Sequence, residues 1–247
     1  MLKYIITILT ILLINASVSE AQFSGDIKVA LGLTTTSILG DNPAKLPMVP
    51  MTDEEDAMTG GAMRHAQPGI EFRVTMPIDE KQIYYVPFSF EYAFFTGRER
   101  INRSQFIVDI WTHSFDLVSL SSGLYVNFYK MDFANAQIYG GLEGRLSFIR
   151  KIDTRASRDF LENIQPDEIW IVPPKEKASR IGGTFRLGVE GKLIEILHVN
   201  AGFAVSAINL IGKDNERGEL FTPIKDLETQ ESTVTTLQVF ILLQLNL

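Results

Sequence analysis

Between Thr236 and Leu247 the chain runs TLQVFILLQLNL, with an aliphatic residue at every odd position: Leu237, Val239, Ile241, Leu243, Leu245 and Leu247. Of the six intervening positions, Thr236, Gln238, Gln244 and Asn246 are polar. A two-residue period belongs to a strand with one apolar and one polar face, whereas a helix would scatter the same residues around its circumference. A strand of this length whose greasy face is unbroken fits the wall of a barrel that faces hydrocarbon.

The other end of the chain points the same way. Lys3 precedes an apolar run from Tyr4 to Ile14, followed by Asn15 to Ala21 with small residues at Ser19 and Ala21. The run is shorter than the ~20 residues of a spanning helix, so residues 1–21 are expected to be a signal peptide cleaved after Ala21 rather than a retained anchor. The mature domain is then expected to occupy 22–247, beginning at Gln22. Its last strand reaches Leu247, which leads us to expect no further domain after the barrel.

Cysteine is absent, which excludes disulfides, thiolate metal sites, a cysteine nucleophile and a lipidated N-terminal cysteine. Removing Lys3 and Glu20 with the signal leaves the formal charge of -7 unchanged, and no basic footprint for nucleic acid is present.

Alternation recurs along the chain and predicts eight strands. The first is expected at 25–34, with Ile27, Val29, Leu31 and Leu33 outward, and the second at 68–76, with Ile70, Phe72, Val74 and Met76 outward. The third (82–95) sets Phe88, Phe90, Tyr92 and Phe94 against Ser89, Glu91 and Ala93. The fourth spans 104–128, the fifth 136–150, the sixth 180–190, the seventh 195–210, and the last closes the chain.

Connections alternate in length. Short turns are expected at 77–81, 129–135 and 191–194, and long loops at 35–67, 96–103, 151–179 and 211–231. Short turns on one rim and long loops on the other are the layout of an outer-membrane barrel with both termini on the short-turn, periplasmic side. A secreted β-sandwich or a soluble lipocalin-like barrel would turn mainly polar residues outward, unlike the consistently apolar face here.

Aromatic residues cluster near the expected strand ends, where a membrane interface favours them. Tyr84, Tyr85, Tyr125, Phe128, Tyr129 and Phe133 are assigned to a periplasmic belt. Phe94, Phe95, Phe106, Trp111 and Phe148 are assigned to an outer one. Pro87 falls inside the third strand, where a closed barrel has no free edge, so a bulge is expected there.

With its signal segment, eight alternating stretches and TTLQVFILLQLNL terminus, the chain resembles the eight-stranded bacterial outer-membrane β-barrels that include the OmpA transmembrane domain and OmpX. The resemblance covers essentially the whole mature chain and is one of pattern, without a catalytic motif. It implies an all-β, antiparallel, up-and-down transmembrane barrel. Members commonly end in an aromatic residue recognised by the insertion machinery, where this chain has Leu247.

Eight strands enclose an interior that side chains just fill, which disfavours a wide pore. The inward positions carry five acids, Asp26, Glu71, Glu91, Glu143 and Glu190, and five bases, Lys28, Arg73, Arg145, Arg180 and Arg186. Buried charges must be paired or solvated, and a balanced set suits a structural plug better than a selectivity filter of one sign.

Catalysis finds little support. The three histidines are His65 in the first long loop, His113 in the fourth strand and His198 in the seventh. A lipid A deacylase or palmitoyltransferase works at the outer membrane surface, which only His65 and His113 suit by position. No GxSxG elbow accompanies them, and no acid and serine partners follow from spacing.

The long loops are the better place for recognition. Asp53, Glu54, Glu55 and Asp56 lack the spaced ligands and turning glycine of an EF-hand and are expected to be solvated charge, with no metal or cofactor required. Arg98, Arg100 and Arg103 in GRERINR are placed to grip lipopolysaccharide phosphates. A short helix is expected over 155–164. The apolar Ile169, Trp170, Ile171 and Val172 are expected to pack over the barrel mouth or contact a partner.

The function expected is that of a non-enzymatic outer-membrane barrel, an envelope scaffold or surface-contact protein acting through its loops on membrane lipid, lipopolysaccharide or an extracellular partner. A narrow channel for small solutes ranks second and a lipid A-modifying enzyme third.

Overall fold

In the computed structural model of the chain, residues 27–48, 60–160, 168–223, 225 and 230–247 are described. The expected signal peptide, Asp26 and the acidic run Asp53 to Asp56 lie outside them. The described strands are β1 (Lys28–Ile38), β2 (Gln67–Pro77), β3 (Tyr84–Asn102), β4 (Ile107–Lys130), β5 (Gln137–Phe160), β6 (Glu168–Val172), β7 (Ala178–Lys192), β8 (Leu197–Ile211) and β9 (Thr235–Asn246).

Eight of these close a ring. The order runs β4, β3, β2, β1, β9, β8, β7, β5, and antiparallel pairing of β4 with β5 seals it. The chain is therefore an eight-stranded, antiparallel, up-and-down barrel. β9 pairs with β1 from Lys28 opposite Asn246 to Ile38 opposite Thr236, so the segment with the strongest alternation is the stave that joins the two ends of the sheet. β6 stands outside the ring as a short ninth strand on the edge of β5.

The staves are unequal. β1 and β2 have 11 residues each, while β4 and β5 have 24 each. Twenty-four strand residues extend roughly 80 Å, about twice what a ~10-residue membrane crossing requires. The outer ends of β3, β4 and β5, joined by β6, run past the other staves as a projecting sheet.

Several expectations are corrected by this extension. Residues 96–102 continue β3 and 151–154 continue β5 instead of forming loops, and 155–160 belong to β5 instead of a helix, the rest of that expected helix lying outside the described residues. Ile169 to Val172 form β6, with Ile169 and Ile171 72% and 75% exposed. Residues 97–102 and 155–160 lack an apolar stripe, so local periodicity does not mark them as strand.

Pro87 introduces no register shift. β3 keeps one register with β2 through Thr75 opposite Pro87, and its ladder to β4 lapses at Val86 and Pro87 without a bulge. The bulges on β4 fall elsewhere, near Ser114 to Asp116 and Asn127 to Tyr129. Lys151 on β5 takes φ of 49° opposite the first of them.

Alternation places Leu33 and Leu142 outward, 69% and 68% exposed, and Glu71 and Arg73 inward and buried. Tyr84, Phe128, Tyr129, Phe94 and Phe106 are exposed as expected of belts. Tyr85 and Tyr125 instead point into the lumen, Phe95 is buried inside, and Trp111 packs inward against Met48 and Ala62. Each lies next to an outward residue on its strand, so one step of the pleat separates belt from lumen. The side chain of Phe133 is outside the described set.

Candidate functional site

The lumen is filled in tiers, beginning at the short-turn rim. Lys28 on β1 donates to both carboxylate oxygens of Glu190 on β7, at 2.9 and 2.8 Å. His198 Nδ1 lies 3.5 Å from the same carboxylate. The Lys28 ammonium also sits 4.5 Å from the centroid of Tyr85. A polar vestibule of about 360 Å³ opens at this rim, lined in part by Gln137, Glu190, Lys192, His198 and Asn246.

The middle tier is a continuous charged network. Arg73 donates to Glu71 Oε1 through Nε and Nη2 at 3.0 and 2.6 Å, and to the Tyr139 hydroxyl at 3.0 Å. Arg186 bridges two acids, Glu71 at 3.2 Å and Glu143 at 2.8 Å. Glu143 also accepts from the hydroxyls of Ser121, at 2.5 Å, and Tyr125. Both guanidinium groups lie over Phe240, 5.0 and 4.6 Å from its centroid, so an aromatic ring and a shared carboxylate hold two like charges together.

A second knot adjoins the first. Arg145 reaches Glu91 at 2.8 Å and the hydroxyls of Ser119 and Ser147 at 2.8 and 3.2 Å, while Gln238 donates to Glu91. Between the middle network and the vestibule the remaining cavity is about 10 Å³, room for one water.

Towards the long-loop mouth, Arg180 forms a forked pair with Glu231, at 2.9 and 2.6 Å. Asn209 joins the same carboxylate at 2.7 Å. Glu231 comes from the segment preceding β9, where periodicity carries no signal, and sequence reasoning missed it. With it, five described acids (Glu71, Glu91, Glu143, Glu190, Glu231) meet the five bases Lys28, Arg73, Arg145, Arg180 and Arg186.

Above this layer the filling becomes apolar. Phe95 of β3 and Phe115 of β4 stack at 5.1 Å, and Phe221 from the β8–β9 connection wedges against both, at 5.3 and 4.8 Å. Ala44, Met63 and Leu220 from the two longest connections complete the cap. Gly97 lets the loop seat there, since a Cβ would meet the Gly61 carbonyl oxygen at 1.7 Å.

His113 borders this cap and hydrogen-bonds Thr154 at 3.0 Å. Burial, reinforced by Lys175 and Arg217, lowers its pKa to about 3 against a partly compensating backbone hydrogen bond at Asp153. In the projecting sheet, Asp109 receives Arg158 and Arg103, each at 2.8 Å, and hydrogen bonding from Arg158 leads in lowering its pKa. Arg103, in the turn after β3, is thereby paired with Asp109 and keeps a side chain 39% exposed. Arg98 and Arg100 remain exposed on the outer face.

The fold and its filling define a narrow, plugged β-barrel with inverted polarity, charged within and apolar without. No family model matches the chain, and no curated protein matches its sequence. Among solved structures it is similar to Ail, the attachment invasion locus protein of Yersinia pestis, at 10% identity over 90% of this chain and 98% of that one, with a TM-score of 0.38. Neisserial surface protein A is similar at 12% identity over 92% of this chain and 100% of that one, with a TM-score of 0.41. A further match, at 10% identity over 90% of this chain and 98% of that one, with a TM-score of 0.37, is Ail in complex with the heparin analogue sucrose octasulfate.

Proposed function

We propose that the chain is exported by its signal peptide, residues 1–21, and that residues 22–247 form an outer-membrane barrel without catalytic activity. It serves as an envelope scaffold or surface-contact protein through its long-loop side. The observation that carries this reading is the inverted polarity. Leu33, Leu142, Ile241 and Leu243 stand exposed around the wall while Glu71, Arg73 and Arg186 are buried inside it. Water would penalise such a wall, and hydrocarbon would match it. Among the described residues no helix is long and apolar enough to cross a membrane.

Within this reading the lumen charges are structural. Each basic residue of the network has an acidic partner, and a buried ion stripped of its partner costs several kcal/mol. The apolar cap and the one-water cavity favour a plug over a channel. Catalysis is disfavoured by His113, whose ring nitrogen is held by Thr154 in a buried site, and by His65, which is exposed in a connection. The candidate partners are membrane lipid, lipopolysaccharide and an extracellular ligand met by the loops or the projecting sheet.

Two measurements on the refolded protein, Gln22 to Leu247, test the reading. Insertion into phosphatidylcholine vesicles is expected to give a heat-dependent shift in gel mobility, and planar bilayers are expected to remain electrically silent. Failure to insert would refute the membrane assignment. Steady conductance that changes when Glu143 or Arg145 is neutralised would replace the plug with a channel.

A further inference from the structure

The outward face of the projecting sheet carries its charge unevenly around the barrel. Register sets Arg98 of β3, Thr112 of β4 and Arg155 of β5 side by side. Arg100 lies one outward position further along β3, while Arg150 is level with Phe94 and Asp116 at the base. Lys151 follows at the bulge. At the matching ends of the other ring strands the outward residues are Ser179, Leu210, Thr235, Ser37 and Pro68, none of them charged.

Three acids share the cationic face. Asp116 lies beneath Lys151 at 2.8 Å, Asp153 pairs with Arg155 at 2.8 Å, and Asp159 sits near the tip. The cations nevertheless reach further into solvent, since the side chains of Lys151 and Arg155 are 76% and 66% exposed.

The lowest cations are rooted in the aromatic belt. The Arg150 guanidinium lies 5.5 Å from the centroid of Phe148, and the Lys151 ammonium lies 5.9 Å from that of Tyr92. Arg98 follows Phe94 by four residues, about 13 Å along a strand and about 10 Å in height at a ~40° tilt. Directly below on the same strands, Phe90, Phe94, Leu120 and Leu146 are exposed. Cations in the headgroup layer thus stand over an apolar wall that can receive acyl chains.

We propose that the outer face of β3–β5 is a binding site for a phosphorylated glycolipid of the outer leaflet, with Arg98, Arg100 and Arg155 holding its phosphates and Arg150 and Lys151 marking the acyl boundary. The proposal rests on the membrane reading above. Guanidinium groups match phosphate geometry by forked hydrogen bonding. A lipid is favoured over a soluble polyanion because the charges point along the membrane plane beside the belt, instead of crowning the mouth.

The test begins with the refolded protein in phosphatidylcholine vesicles, scored for insertion by heat-dependent mobility. Diphosphoryl lipid A is then titrated onto the micelle-held barrel and bound lipid is counted by native mass spectrometry. The combined variant Arg98→Gln, Arg100→Gln, Arg155→Gln is expected to lose about a hundredfold in affinity, at about fivefold for each surface cation. Lys130→Gln with Lys192→Gln, at the opposite rim, is expected to change it less than twofold. Replacing the three arginines with lysine, which keeps the charge, is expected to restore part of the binding.

A chain that fails to insert overturns the membrane reading and this site with it. A triple glutamine variant that inserts normally and binds lipid A like the parent overturns the site alone. So does a heparin fragment that displaces lipid A, because the face would then serve a soluble polyanion.

Discussion

Within a single strand, β3, two regions follow opposite rules. From Phe88 to Phe94 the apolar residues face out, while Ser89 and Glu91 face in. From Phe95 onward the apolar side is inside, packed on Phe115 and Phe221, and Arg98 and Arg100 face out. β4 and β5 repeat the reversal: Leu120 and Leu146 point outward, whereas Leu117 and Ile149 are buried in the cap. On the membrane reading proposed above, the lower region is arranged for hydrocarbon and the upper one for water, so the reversal falls where the surrounding medium changes, as charge inside the barrel gives way to carbon.

The comparison is tested most severely in the lower region. Arg186→Met leaves Glu71 and Glu143 without one of their shared cations, and is expected to cost about 3–5 kcal/mol, the usual penalty for breaking a buried pair. The readout is the folded fraction by heat-dependent mobility across a urea series. Leu245→Val, on the outward face, serves as the control and is expected to cost less than about 1.5 kcal/mol. Equal losses would mean that Arg186 is not held in a closed network.

The upper region is expected to respond as an ordinary core. Phe221→Ala removes the ring packed against the stacked Phe95 and Phe115 and is expected to cost about 3 kcal/mol of local stability. The loss should appear as faster proteolysis of 212–234, with the barrel's own mobility shift retained. Collapse of the whole barrel would show that cap and wall fold as one unit.

The smallest expected effect is a pH response confined to the cap. His113 is held neutral, its pKa lowered to about 3 from an ordinary 6.5. Its unfolded form therefore binds a proton that the folded form refuses. The contribution to stability is complete above pH 6.5 and declines as pH falls from there towards 3. Hydrogen exchange at Phe221 and its neighbours is expected to accelerate over that window, and His113→Gln is expected to flatten the response. An unchanged slope in that variant would assign the titration to another group.

Local alternation was enough to reveal the eight ring strands and the inward positions of Lys28, Glu71, Arg73, Glu91, Glu143, Arg145, Arg180, Arg186 and Glu190, because a side chain's face depends only on its parity within the strand. Where one face meets water and the covered face is made of small and polar residues, as in GRERIN of β3 and TRASRD of β5 with Gly97, Thr154 and Ala156 buried, parity leaves no apolar stripe, and those strand extensions were misread as loop and helix. The same limit hid Tyr85, Tyr125 and Phe95, whose neighbours on the strand are also aromatic or apolar.

Sequence by itself determined the number of ring strands, the inverted polarity and nine of the inward charges, since all three are written in short-range periodicity. Only tertiary structure decided which charges meet. Lys28 finds Glu190 across 162 residues, Arg186 finds Glu71 across 115, and Arg180 finds Glu231 in a stretch with no period. It also decided that Phe221 enters the mouth and that Arg98 and Arg155 share one face. Those pairings depend on barrel closure and register, which bring distant segments together and leave no mark on any one of them.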